Sequence, residues 1–161
     1  MKYLLVVILS LILIFPVTVL ALNTDSHLVT VTVVEINEIA VIGGGITLTI
    51  NSAVAGSEPT PVTDTTCDLC WTTNGTGKKI TVKTNQGSPT FTLTVLPTSI
   101  SALGGGTAVG APVTLSTTDI DFITAISIVA ASCDLEYTAS ATAAQGTGSE
   151  VHTVTYTITA G

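Results

Sequence analysis

Cys67-Asp68-Leu69-Cys70-Trp71-Thr72 occurs a second time, with changes, as Cys133-Asp134-Leu135-Glu136-Tyr137-Thr138. In both copies large apolar or sulfur-bearing residues alternate with polar ones, the period of a strand rather than of a helix. Cys67, Leu69 and Trp71 therefore share one face, as do Cys133, Leu135 and Tyr137, and both faces are expected to point inward. Residues three apart on an extended strand point to opposite faces, so Cys67 and Cys70 do not bond each other. The pattern predicts a Cys67–Cys133 disulfide, worth up to about 4 kcal/mol on loop-closure entropy. Cys70 is left on the polar face, as an inert thiol or as a link between subunits.

The same alternation recurs on both sides of each copy. Strands are expected near Leu28–Ile36, Ile46–Ile50, Thr66–Thr73, Lys79–Thr84, Thr90–Leu96, Val113–Thr117, Cys133–Ser140 and Thr153–Thr159. Val29, Val31 and Val33 oppose Thr30 and Thr32; Phe91, Leu93 and Val95 oppose Thr92 and Thr94; Val154, Tyr156 and Ile158 oppose Thr153, Thr155 and Thr157. Such one-sided strands belong to antiparallel sheets with one wet face. About eight of them, separated by Gly, Pro, Ser and Asn clusters, predict an all-β fold: an antiparallel Ig-like β-sandwich, with a small barrel as the alternative. Ile120–Ala131 fits either a strand or a short helix. Triple glycines at Gly43–Gly45 and Gly104–Gly106 precede the two hexapeptides, so the chain reads either as two duplicated four-strand units, 28–84 and 90–159, or as chance similarity within a Thr/Val/Gly-rich chain.

The chain opens with Met1-Lys2-Tyr3 and is then apolar to Ala21, ending Val19-x-Ala21. That is the form of a cleaved secretory signal peptide, residues 1–21, in preference to a membrane anchor. A short polar tail, Leu22–His27, then leads into a single domain over 28–161. Removing 21 of 161 residues leaves about 140, enough for one real core. Only 9% of residues are charged and there is no arginine, which excludes a basic nucleic-acid footprint. All acidic residues lie beyond Ala21, where the only side-chain cations are Lys78, Lys79 and Lys83, so an anionic membrane surface is repulsive.

Chemistry-bearing motifs are weak. Cys67-x-x-Cys70 lacks the following helix of a redox motif and the following His of a haem site. Zinc needs about four ligands, and only Cys133, His27 and His152 could join the pair. Neither histidine has a nucleophile or metal motif beside it, so no catalytic residue, cofactor or metal is expected and the chain reads as non-enzymatic. Asp119-x-Asp121 is read as a solvated turn rather than a calcium site. Asn74-Gly75-Thr76 matches a glycosylation sequon, and a hairpin turn before Lys78-Lys79 suffices to explain it. The Thr-x-Thr rows read as the polar face of ordinary sheets rather than as an ice-binding surface.

Taken with the signal-like start, the Thr/Val-rich strands, the early cysteine and a closing hairpin of Cys133–Ala141 and Val151–Thr159 around Gly146-Thr147-Gly148, the chain resembles small secreted bacterial β-sandwiches of the spore coat protein U and chaperone–usher pilin kind. The third cysteine and the apparent duplication depart from that pattern. The resemblance implies assembly by donation of an N-terminal strand to a neighbour's sheet. Here that strand is Leu28–Ile36, with Val29, Val31 and Val33 as its inserted side chains. The expected function is an exported structural protein, a self-associating subunit of a filament, pilus or surface coat on a bacterium. The alternative is a monomeric adhesion or carbohydrate-binding module using loops such as Ser52–Thr65 or Leu96–Pro112.

Overall fold

The computed structural model describes residues 23–161, so the signal-peptide reading of residues 1–21 lies outside the described residues. The chain divides into two compact units, Met1–Val33 and Val34–Gly161. In the first, residues 23–33 form no strand and are all exposed. The second is a two-sheet antiparallel β-sandwich of nine strands, one more than expected.

One sheet has five strands in the order β1 (Asn37–Ile42), β2 (Val62–Thr73), β8 (Val129–Ser140), β4 (Thr92–Thr98) and β6 (Val113–Thr114). The other has four, β5 (Thr107–Ala108), β7 (Ile120–Ile126), β3 (Lys78–Thr84) and β9 (Val154–Ala160). From β2 onward each connection carries the chain from one sheet to the other. The segment Asn74–Gly77 is therefore a corner between sheets and not a hairpin turn. The expected closing hairpin is corrected in the same way: β8 and β9 lie in opposite sheets, joined across the edge by a 3-10 turn at Ala143–Gln145.

The two hexapeptides sit side by side on β2 and β8. Cys67 faces Leu135, Asp68 faces Asp134 and Leu69 faces Cys133, so the two Cys-Asp-Leu triplets are related by a local two-fold through the aspartates. Leu69 and Leu135 are fully buried, with Trp71 and Tyr137 beside them, because every second residue of each strand meets the opposite sheet. That sheet contributes Ile80, Val82, Phe122, Ile123, Ile126 and Tyr156. The hydroxyls of Tyr137 and Tyr156 join the sheets through a hydrogen bond of 2.8 Å, and the Tyr156 ring packs on Phe122 at a centroid distance of 5.3 Å.

Ile120–Ala131 resolves into the whole of β7 and the start of β8, joined by Ser127-Ile128. Its alternation is broken because β7 carries register shifts against β3 that bury the consecutive residues Phe122 and Ile123. The expected strand Ile46–Ile50 forms no ladder, although Ile46 and Leu48 pack against the core. Instead the ladder continues from β2 to Asn37–Ile42, and Gly43 ends it at a φ of 113°. A Cβ at Gly43 would lie 2.6 Å from the Thr66 carbonyl oxygen, so only glycine lets the chain leave the sheet here.

Candidate functional site

Leu28–Ile36 was expected as a strand, and the structure corrects this: none of these residues is assigned to a strand. Side chains of Leu28, Val29, Val31, Val33 and Val34 are 93%, 67%, 81%, 73% and 71% exposed. Val/Thr alternation makes the segment able to pair, but alternation describes a surface that fits a sheet and supplies no partner strand.

Past Val33 the chain is held. Asn74 accepts the Ile36 N–H on Oδ1 at 2.8 Å, donates from Nδ2 to the Val34 carbonyl at 2.8 Å, and donates its own N–H to the Ile36 carbonyl at 3.3 Å. Lys78 pairs with Glu35 at 2.5 Å, and Asn37 donates to the same carboxylate at 3.0 Å, which holds the Glu35 carboxyl below its usual range. The Nδ2 atom that a glycan would use is already engaged, which favours a role in the corner between sheets over the sequon.

Four strands offer sheet edges: β1 and β6, β5 and β9. β5 and β6 are two residues each, and β1 carries Glu38. β9 is seven residues long, uncharged, free of proline and in unbroken register with β3. The bonds from Asn85 N–H to Thr153 O (3.2 Å) and from Gly161 N–H to Gly77 O (2.8 Å) bracket that ladder and make odd-numbered residues the ones bonded to β3. The N–H and C=O groups of Val154, Tyr156, Ile158 and Ala160 then face the open side, by the alternation of an antiparallel pair. Long, flat, uncharged edges of this kind are templates for pairing with another chain.

The proposed disulfide is corrected: Cys67, Cys70 and Cys133 are all free. Cys67 and Cys133 do share the inward face and are 2% and 1% exposed. They are nevertheless offset by two residues, each opposite the other copy's leucine. Diagonal neighbours of this kind lie roughly 7 Å apart, against the roughly 3.5–4.5 Å between Cβ atoms that a disulfide requires. The Cys67 thiol donates to the Gly44 carbonyl at 3.5 Å, and burial, reinforced by Asp134, pushes the Cys133 thiol up to about 12. Cys70 lies half-buried on the outer face opposite Ser132.

One arrangement has the order of a catalytic relay. The His152 ring contacts the Thr84 hydroxyl at 3.1 Å through Nδ1 and Glu150 Oε1 at 3.4 Å through Nε2. Thr84 is 2% exposed, however, so its hydroxyl meets no substrate. Glu150 spends both oxygens on the backbone N–H groups of Thr90 and Phe91, each at 2.9 Å. Burial pulls the Glu150 carboxyl up, but these amides and His152 outweigh it and hold the group below the usual carboxylate range. The network ties the approach to β9 onto the ends of β3 and β4. No local motif announced it, because its partners are 59 to 68 residues apart.

Asp119 and Asp121 pair with Lys83 at 3.1 Å and Lys79 at 2.9 Å, ordinary surface ion pairs of little energetic weight. Among the described residues no group of three His, Cys, Asp or Glu side chains is placed to hold a metal, and no helix is long and apolar enough to cross a membrane. His27 is exposed. Of the expected loop Ser52–Thr65, Val62–Thr65 belong to β2; the remainder lines an open cleft of about 540 Å³ that includes Glu58, Pro59, Pro61, Ser140 and Thr142. Glu58 accepts the Ala143 N–H there, and no aromatic ring lines the cleft on which a sugar could stack. No protein-family model, curated protein or solved structure matches this chain.

Proposed function

We propose that this chain is an exported structural protein that self-associates through its N-terminal arm, as a non-enzymatic subunit of an extracellular filament or surface coat. The observation that carries this reading is the uncharged, alternating and exposed run Leu28–Val34. Fully burying one Val or Leu side chain is worth about 1.5–3 kcal/mol, so an arm with five such side chains in water gains most by docking against another surface. The open side of β9 is the acceptor that best suits it, being long, uncharged and in regular register. Main-chain bonds then supply affinity, and Val29, Val31 and Val33 on one face supply specificity. The signal-like start of the sequence supports export, and the burial of the one hydroxyl–imidazole pair favours a structural over a catalytic role.

A monomeric binding module is the second reading, favoured by the cleft beside Val54–Pro61. Negative-stain microscopy and sedimentation of the purified protein separate the two. Assemblies that vanish when residues 28–33 are deleted support the first. A monomer with or without those residues, together with loss of surface or glycan binding on substituting Glu58, supports the second.

A further inference from the structure

The polar network at the base of the arm is built around one side chain. With Oδ1 accepting from Ile36 and Nδ2 donating to Val34, Asn74 presents the donor and acceptor that a strand residue would present. It thereby extends the β1–β2 ladder past its last pair, Asn37 with Thr73. Thr73 donates its hydroxyl to Asn37 at 2.7 Å and accepts the Gly75 N–H at 3.0 Å, which fixes the corner from which Asn74 reaches. The Lys78 stem runs over Gly75 on its way to Glu35: a Cβ at Gly75 would lie 2.7 Å from Lys78 Cε. Asn74 and Gly75 therefore have a task in the structure that neither a sequon nor a simple turn requires.

We propose that Asn74, together with the Lys78–Glu35 pair, is a clasp that fixes the arm's root at Val34–Asn37, so that the segment available to a neighbouring copy ends at Val33. Asn74 is thus a positioning residue for assembly. The functional half of this inference rests on arm-mediated assembly, whereas the clasp itself does not.

Amide exchange on the intact protein, read residue by residue, tests the clasp directly. A hydrogen bond of ordinary net strength slows exchange by about tenfold relative to an unpaired amide. The Ile36 amide is expected to exchange about tenfold more slowly than those of Val31 and Val33. Asn74→Ala should bring it to their rate while Leu69 and Leu135 stay protected. Asn74→Asp, which keeps the acceptor, should retain most of the Ile36 protection, and Glu35→Gln serves if the alanine variant does not fold, with an expected rise of about twofold or more. An Ile36 amide as fast as Val31 in the parent, or unchanged in Asn74→Ala, overturns the clasp. The same variants are then scored for assembly, where Asn74→Ala should lower the yield and deletion of residues 28–33 abolish it. If the parent never assembles, the filament reading fails while the exchange result still decides the clasp. If Asn74→Ala frees Ile36 yet assembly is unchanged, the positioning role is refuted.

Discussion

Tyr156→Phe removes one oxygen from the centre of the sandwich, and the structure sets the scale of the effect. The hydroxyls of Tyr137 and Tyr156 are 2.8 Å apart, on residues 6% and 8% exposed, in opposite sheets. A phenylalanine at 156 keeps the packing against Phe122, so no cavity is created. The hydrogen bond itself is worth about 0.5–1.5 kcal/mol net, but its loss also strands the Tyr137 hydroxyl in a dry core, at about 1–3 kcal/mol. The single variant should therefore lose about 1–3 kcal/mol. The double variant Tyr137→Phe/Tyr156→Phe strands nothing and should lose less than the sum of the singles, by about 1 kcal/mol or more. Urea unfolding followed by the fluorescence of Trp71, the one tryptophan and 2% exposed, measures all three. Single variants within about 0.3 kcal/mol of the parent, or a strictly additive double variant, would refute the reasoning.

Three further outcomes follow from the same core and its surface. Burial raises the pKa of Tyr156 and Tyr137 and pushes the Cys133 thiol up to about 12, so the folded state keeps protons that the unfolded chain releases at ordinary values. Stability should be full below about pH 9 and fall as pH rises toward the folded values, by up to about 1.4 kcal/mol per pH unit for each group engaged; a urea midpoint equal at pH 8 and pH 10.5 contradicts this. Asp68 and Asp134 stand directly opposite on β2 and β8, so Asp134→Asn should stabilise by about 0.2–1 kcal/mol, less at high salt; an unchanged urea midpoint at low salt counts against it. Gly43→Ala puts a Cβ 2.6 Å from the Thr66 carbonyl oxygen at a φ of 113° and should cost about 1–3 kcal/mol in the same assay, a loss that Gly45→Ala, whose Cβ meets nothing within 4 Å and whose φ is not left-handed, should not reach.

What could be read from the residues was which way side chains point. Cys67, Leu69, Trp71, Cys133, Leu135 and Tyr137 all lie inward as alternation requires. Register was not legible, because a slip of two residues leaves every side chain on its own face. That slip separates Cys67 from Cys133. Alternation also could not say whether Leu28–Ile36 has a partner, since β-propensity describes a surface that fits a sheet and not the presence of one. In β7 the reverse holds: Phe122 and Ile123 form an apolar doublet that alternation cannot place, and the bulge that buries both depends on β3. The networks that tie His152 to Thr84, Glu150 to Thr90 and Phe91, and Asn74 to Val34 and Ile36 escaped because each joins residues far apart in the chain that carry no motif of their own.

Association through the exposed arm is decided by sedimentation velocity on the purified protein, run with and without an added peptide matching Leu28–Val33. Concentration-dependent assemblies are expected, which the peptide shortens by occupying the acceptor edge, and none from a chain lacking residues 28–33. A parent protein that sediments as a monomer at every concentration, or assemblies that neither the peptide nor the deletion affects, would contradict it.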